Sequence, residues 1–234
     1  DSIIFVKTSR HIRARIWILW IILSIAIAIH IAAPIAALQW ITRPSPGLTF
    51  DPNLVVNDIG HDNWPSQQQE PPIGYPERLV AIDGNPVVTE RQYNAILDAH
   101  EAGDVLSFSF EQPPPGASAS VDESQPLSRT VDMPLVQHHI SELWTVFGIM
   151  YVTGLIILAI GIWTFGLRPE QDSAQVFALF TAVTSMTAAT IFDGVSTHYF
   201  LPIWIAGLSL FGSVNLWMNA LFPAPVKPLK EHSM

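Results

Sequence analysis

His30 is the first residue whose type and position could support chemistry. It lies in the run 16–42, which contains no Asp, Glu, Lys or Arg, and Ala26 precedes it by one helical turn. A neutral imidazole in such a run can ligate the metal of a chlorin or haem, and a small residue one turn away leaves space for the macrocycle. The alternative is a hydrogen bond from His30 to a hydroxyl or carbonyl of a neighbouring helix. His30 is therefore a candidate cofactor ligand with a structural alternative.

Asp193 and His198 form a second candidate, at the end of another uncharged run. Ionisable groups next to a membrane are costly to place and often have a function. The pair therefore predicts a sensory or ligand-contacting role. The alternative is a solvated helix cap, or an ion pair between Asp193 and His198.

His138, His139 and Glu142 form a third group, directly before an uncharged run. His139 and Glu142 are three residues apart and could share one face of a helix, but two or three ligands are too few for a closed metal site. We expect an amphipathic link and no metal. The chain also lacks cysteine, H-E-x-x-H, G-x-S-x-G and a Walker loop, so we expect no catalytic residues and no enzymatic activity.

Four uncharged runs dominate the remaining sequence: 16–42, 143–167, 174–192 and 200–222. Each is long enough for a helix that crosses the bilayer core, which takes about 20 apolar residues. The third run is rich in Thr, Ser and Ala, whose hydroxyls can bond within a helix bundle, so we expect it to lie away from lipid. The runs predict an α-helical membrane protein with four transmembrane helices, of which the last three form a bundle over 143–222.

The basic residues predict the orientation of these helices. They precede the first run, separate the second from the third and follow the fourth: Lys7, Arg10, Arg13, Arg15, Arg168, Lys227 and Lys230. The positive-inside rule then places the tails 1–15 and 223–234 in the cytoplasm of a bacterium, and 43–142 outside its inner membrane. That outer segment has four Arg against fifteen acidic residues, a net charge of −11, which argues against nucleic acid as a partner.

The outer segment has the pattern of a small α+β domain. RLVAI (78–82) reads as a strand, and Asp83-Gly84 follows as a turn signal. Thr89 and Gln92 have the spacing of a capping box for a short helix. Further strands are predicted over 54–59, 105–111 and 127–135, the last of these antiparallel to 105–111.

The stretches RLVAIDGNPV (78–87) and GDVLSF (103–108) resemble a bacterial PDZ domain, over roughly 47–136. The resemblance implies that a peptide carboxylate binds backbone amides of a Gly-containing loop, and that the peptide then adds as a strand. The corresponding residues here are Gly74, Tyr75 and Leu79. The loop departs from the family pattern, because it is longer and has Pro76-Glu77 where Gly-Asp is expected, and proline removes an amide donor. The alternative is a PDZ-like module used for docking or structure, without a peptide.

The stretches IFDGVSTH (191–198), LPIW (201–204) and LFP (221–223) resemble the N-terminal membrane region of bacterial sensor proteins of the histidine-kinase type. This resemblance implies a non-enzymatic sensor or receptor module. The kinase output is not carried over, because the 234 residues contain no phosphoacceptor helix or ATP-binding glycine box.

Two other functions stay open. The first is an accessory or scaffold subunit of a larger membrane complex, one that transduces energy for example, with membrane proteins as partners. The second is pigment or haem binding at His30, since its Ala-x-x-x-His spacing is similar to that of light-harvesting polypeptides. In every case we expect the lipid bilayer as a partner, and a protein or peptide at the outer domain.

Overall fold

The computed structural model describes residues 2–112 and 127–221; the predicted tail 223–234 and the Phe-Pro step at 222–223 lie outside them. In chain order the elements are α1 (Ser2–Thr42), β1 (Arg78–Ile82), β2 (Asn85–Pro86), α2 (Glu90–Leu97), β3 (Val105–Gln112), β4 (Leu127–Pro134), α3 (Ile140–Leu143), a π-helical turn (Trp144–Gly148), α4 (Ile149–Leu167), α5 (Asp172–Thr190), a 3₁₀ turn (Asp193–Val195) and α6 (Leu201–Leu221).

The chain forms two compact units. We call them the helical unit (Asp1–Pro34, Ile149–Ile191 and Phe200–Met234) and the sheet unit (Ile35–Gly148 and Phe192–Tyr199). The sheet unit is therefore discontinuous in sequence, because it takes in the segment that joins α5 to α6.

Three helices of the described residues are long and apolar enough to cross a membrane: Ile12–Thr42, Ile149–Leu167 and Leu201–Leu221. These are the features of a helical membrane protein. The third predicted span corresponds to α5, which is less apolar than the other three because Thr, Ser and Gln interrupt it. Two predicted boundaries differ from the structure. Helix α1 already begins at Ser2, within the predicted tail 1–15, and the π-helical turn separates Leu143 from α4.

The helical unit packs leucine and phenylalanine side chains against alanines of neighbouring helices. Leu23 and Ala26 of α1 lie against Leu158 and Phe165 of α4 and Ala178 of α5 in one buried cluster. Helix α5 has ten buried residues. Several of its hydroxyls donate to carbonyls of the preceding turn, as Thr181 Oγ1 does to Ala178 O at 3.0 Å. The sequence predicts that this helix lies inside the bundle, and its buried residues agree with that position.

The sheet unit is built on a four-stranded antiparallel sheet with strand order β2-β1-β3-β4. Asp83 and Gly84 both have positive φ, 48° and 76°, as a two-residue hairpin turn requires. The predicted capping box is present, since Thr89 accepts from the Gln92 amide while the Gln92 side chain accepts from the Thr89 amide. The apolar side chains of sheet and helix share one core, including Leu79, Ile82, Tyr93, Leu97, Phe108 and Phe110.

The strand predicted over 54–59 is wrong. Leu54 has a positive φ of 62°, which an extended strand cannot accommodate. Only isolated bridges form there, from Val55 to Arg78 and from Val56 to Phe50. The segment crosses the core as an irregular chain instead.

Candidate interaction site of the sheet unit

The segment Phe192–Tyr199, which we call the α5–α6 connector, is held inside the sheet unit. The Phe50 amide donates to Val195 O at 3.1 Å. Phe192 lies edge-on to Trp40, with 5.3 Å between ring centroids. Backbone and side-chain contacts thus both fix the connector to residues distant in sequence.

Asp193 and His198 both lie in this connector, but their side chains bind different partners. The Asp193 carboxylate accepts from Thr197 Oγ1 at 2.5 Å and from the Tyr199 amide at 2.9 Å, and the residue is only 4% exposed. His198 Nδ1 lies 2.7 Å from Glu90 Oε2. The enclosed carboxylate of Asp193 is not the solvated cap that was one predicted alternative, whereas its charge still acts on His198.

Glu90 raises the pKa of His198. Burial alone would lower the pKa of His198, but the hydrogen bond and the charge of Glu90, with a smaller effect of Asp193, raise it above its ordinary value. Glu90 was not among the sequence candidates, because it lies 108 residues from His198. Its only local signal is its position in the first turn of α2, where a carboxylate is common.

His138 is the centre of a buried aromatic cluster. Its ring stacks on Trp40 with 5.6 Å between centroids, and Trp64 lies 5.0 Å away. Burial lowers the pKa of His138 below its ordinary value, and the nearby Glu142 opposes this effect only in part. His139 caps α3 and Glu142 lies in the first turn of that helix, but the histidine next to the Glu142 carboxylate is His138, whose Nδ1 lies 3.4 Å from Oε2.

Ser45, His138 and Glu142 have the connectivity of a hydrolytic triad. Ser45 Oγ lies 2.8 Å from His138 Nε2, on the ring side opposite Glu142. However, Ser45 is 4% exposed and its oxygen also accepts from the Gly47 amide. A nucleophile needs access to its substrate, and this hydroxyl is enclosed. The three residues therefore have a structural role, in which they connect the first and the last part of the segment 35–148.

The predicted carboxylate-binding loop already binds carboxylates of the chain itself. The Gly74 amide donates to Glu77 Oε2 at 3.2 Å, and the Tyr75 amide donates to Asp58 Oδ1 at 2.8 Å. The Leu79 side chain is fully buried in the core, and its amide donates to Leu54 O. Peptide capture at this loop would therefore require both carboxylates to leave.

Arg129 fixes this loop from β4. Its Nε and Nη2 lie 2.6 Å and 2.7 Å from the two oxygens of Glu77, and its guanidinium also donates to the carbonyls of Pro71 and Pro72. Glu77 is 8% exposed. This ion pair and the two carbonyl contacts stabilise the long proline-containing loop that sets the sequence apart from the PDZ pattern.

His30 lies in the helical unit, 3% exposed. Its Nδ1 is 2.8 Å from Ala26 O. Its Nε2 has no hydrogen-bond partner in the described residues, and a Cβ added at Gly154 would lie 3.3 Å from it. The space expected beside Ala26 is thus closed by the helices themselves, and a macrocycle would require α1 and α4 to separate. Cofactor binding stays a prediction that an absorption spectrum decides, since a chlorin or haem absorbs strongly.

A polar cavity of about 400 Å³ opens beside the connector. Thr197 and Tyr199 line it together with Arg43 and Asp98, whose Nε and Oδ1 are 2.6 Å apart. Among the described residues, no group of three or more His, Cys, Asp or Glu could hold a metal ion. No family model, curated protein or solved structure matches the chain.

Proposed function

We propose that this chain is a non-enzymatic membrane sensor or receptor-like module. In this proposal α5 is a fourth span, and the sheet unit is an extracytoplasmic PDZ-like domain of a bacterial inner-membrane protein with both termini in the cytoplasm. The order of β1, the Asp-Gly turn, β2, α2, β3 and β4 supports the PDZ-like assignment.

One observation carries the sensory function. The connector Phe192–Tyr199 belongs to the sheet unit, yet Thr190 ends α5 just before it and Leu201 begins α6 just after it. A change in the sheet unit that displaces the connector therefore acts on two membrane helices through the covalent chain. A signal needs such an element with two arrangements, and the bond between His198 and Glu90 is one of the contacts that hold the connector.

Glu90→Gln tests this coupling, because it removes the charge that holds His198. The chain has no cysteine, so spin labels can be attached at Ile156→Cys on α4 and Leu216→Cys on α6, both exposed. In liposomes we expect Glu90→Gln to shift the distance distribution between the two labels. Glu101→Gln is the matched control, since Glu101 is an exposed acidic residue of the same unit. Identical distributions in Glu90→Gln and the control would reject the coupling.

A second function, an accessory subunit of a larger membrane complex, is supported by α6. Ser209, Ser213 and Asn219 are exposed on this helix, and only Gly207 and Val214 are buried. Polar groups on an outward face of a membrane helix favour association with another helix. Extraction in mild detergent should then yield a stoichiometric partner that is lost in Asn219→Leu. A lone monomer or homodimer would count against this function.

A further inference from the structure

A groove lies between α4, α5 and α6 at one end of the helical unit. Its volume is about 500 Å³, within the range of roughly 300–1,000 Å³ typical of ligand sites. Its walls are mainly apolar and come from all three helices: Leu167, Val176, Phe177, Met218 and Leu221. Helix α6 has only Gly207 and Val214 buried along its length.

Arg168 gives this groove a positive charge. It lines the groove and is exposed, and its guanidinium has no hydrogen-bond or ion-pair partner in the described part of the chain. The neighbouring acidic residues Glu170 and Asp172 do not line the groove. One uncompensated cation therefore stands beside an apolar surface.

A second groove, of about 410 Å³ between α1, α5 and α6, provides a comparison. Arg15 lines it, but Asp172 lines it as well, and Arg15 Nη1 lies 3.7 Å from Asp172 Oδ1. The charge in this second groove is thus compensated within the chain. Of these two grooves in the described part of the chain, the Arg168 groove is the one whose charge an anionic ligand complements.

We propose that the Arg168 groove binds an anionic phospholipid, with an acyl chain along α4, α5 and α6 and the phosphate against Arg168. The apolar walls and the single cation match the two parts of such an amphiphile, and lipid is at hand because α4 and α6 have the composition of membrane-spanning helices. This site is independent of the sensory function proposed above.

Native mass spectrometry of the delipidated full chain tests the site. Phosphatidylglycerol and phosphatidylcholine of equal chain length are added separately, and the bound fraction is measured. We expect a larger bound fraction of the protein with phosphatidylglycerol than with phosphatidylcholine. Arg168→Gln should weaken phosphatidylglycerol binding about fivefold, the effect of one basic residue at an anionic lipid surface, without changing phosphatidylcholine binding. Arg13→Gln is the control, because Arg13 is exposed and lines neither groove.

Two further arms separate a lipid from a small anion. Inorganic phosphate and the soluble headgroup glycerophosphoglycerol, each in excess, should leave phosphatidylglycerol bound, since neither has an acyl chain. Displacement by either would show an anion site and overturn the lipid assignment. Equal losses in Arg168→Gln and Arg13→Gln, or equal binding of the two lipids, would overturn it as well.

Discussion

The imidazole of His198 carries its positive charge to higher pH than an ordinary histidine, because Glu90 Oε2 lies 2.7 Å from its Nδ1. A pKa raised on folding means that the folded state binds the proton more tightly than the unfolded chain. The resulting stabilisation is complete below the ordinary value of 6.5 and is lost as the pH rises through the raised pKa. His138 has the opposite sign, because its pKa is lowered and its contribution is lost as the pH falls.

Glu90→Gln separates these two effects. We expect the difference in thermal midpoint between wild type and Glu90→Gln to be large at about pH 6 and to shrink by about pH 8.5, because only protonated His198 pairs with the carboxylate. Thermal unfolding of the full chain in detergent measures it. A difference that stays constant with pH, or that Glu101→Gln reproduces, contradicts the assignment.

Arg129→Gln should strongly destabilise the sheet unit, because it leaves Glu77 buried without its cation. Losing one partner of a largely buried pair costs about 3 kcal/mol. Chemical denaturation measures the loss. Arg78→Gln is the control, since Arg78 is an exposed arginine on β1 of the same sheet. An equal loss of unfolding free energy in both variants would show that the Arg129–Glu77 pair contributes nothing specific.

Residue identities predicted some of these contacts and not others. The capping box of Thr89 and Gln92 and the turn at Asp83-Gly84 could be predicted, because each feature is formed within four consecutive residues. The partners Glu77 and Arg129 are 52 residues apart, and no local pattern indicates such a pair. The choice between His138 and His139 depended on which of two adjacent side chains faces the core, which spacing alone does not determine.

At the scale of elements, α1 contains a proline whose effect is compensated by another helix. Pro34 has no amide hydrogen, so the carbonyl of His30, four residues earlier, loses its helical donor. The Tyr151 hydroxyl of α4 donates to that carbonyl at 2.8 Å. Tyr151 thus supplies the donor that Pro34 removes from the continuous helix α1.

Tyr151→Phe should destabilise the chain by about 1–2 kcal/mol, because it leaves a buried carbonyl unsatisfied. In Pro34→Ala the backbone itself supplies a donor to His30 O, so the same change should cost less there. Unfolding by SDS titration of the four variants in this cycle measures the coupling. If Tyr151→Phe lowers the free energy of unfolding by the same amount in the wild type and in Pro34→Ala, the hydroxyl of Tyr151 does not compensate for the proline.

Glycines on α4 provide an internal comparison for helix packing. A Cβ at Gly161 would collide with the Oγ1 and Cβ of Thr181 on α5, whereas a Cβ at Gly166 meets nothing within 4 Å. We therefore expect Gly161→Ala to cost about 1–3 kcal/mol through overpacking. Gly166→Ala should be neutral or stabilising by up to about 1 kcal/mol. The SDS titration measures the unfolding free energy of both variants. Equal changes in the two would contradict the close contact between Gly161 and Thr181.

Elements were predictable where their pattern is local and regular. The runs of apolar residues indicated α1, α4 and α6, and the alternation in 105–111 indicated β3. The strand predicted over 54–59 failed because β-branched residues favour extension, while the tertiary fold places Leu54 in a left-handed conformation. The break between α3 and α4 has no charged or proline residue to mark it, since the turn is as uncharged as the helix that follows.

At the scale of the whole molecule, the number of spans depends on α5. If α5 crosses the membrane, the α4–α5 link and the α5–α6 connector lie on opposite sides. If it does not, they lie on the same side. Single cysteines at Glu170 and Tyr199, both exposed, distinguish the two arrangements.

We expect a membrane-impermeant maleimide to label Tyr199→Cys in intact cells and Glu170→Cys only after permeabilisation. Asn53→Cys, exposed in the sheet unit, should behave like Tyr199→Cys. Labelling of Glu170→Cys and Tyr199→Cys under the same conditions would show that α5 does not cross.

The discontinuity of the sheet unit has a consequence for synthesis of the protein. Residues 35–148 leave the ribosome well before the connector, yet the Phe50 amide and Glu90 find their partners only in Val195 and His198. During translation the fold of the sheet unit therefore stays incomplete until α4, α5 and the connector have been synthesised. The sheet unit can complete its fold only after α4 and α5 have been synthesised and the connector has bound. A chain that is truncated or misinserted after α4 therefore keeps an incompletely folded domain, which quality-control proteases can recognise.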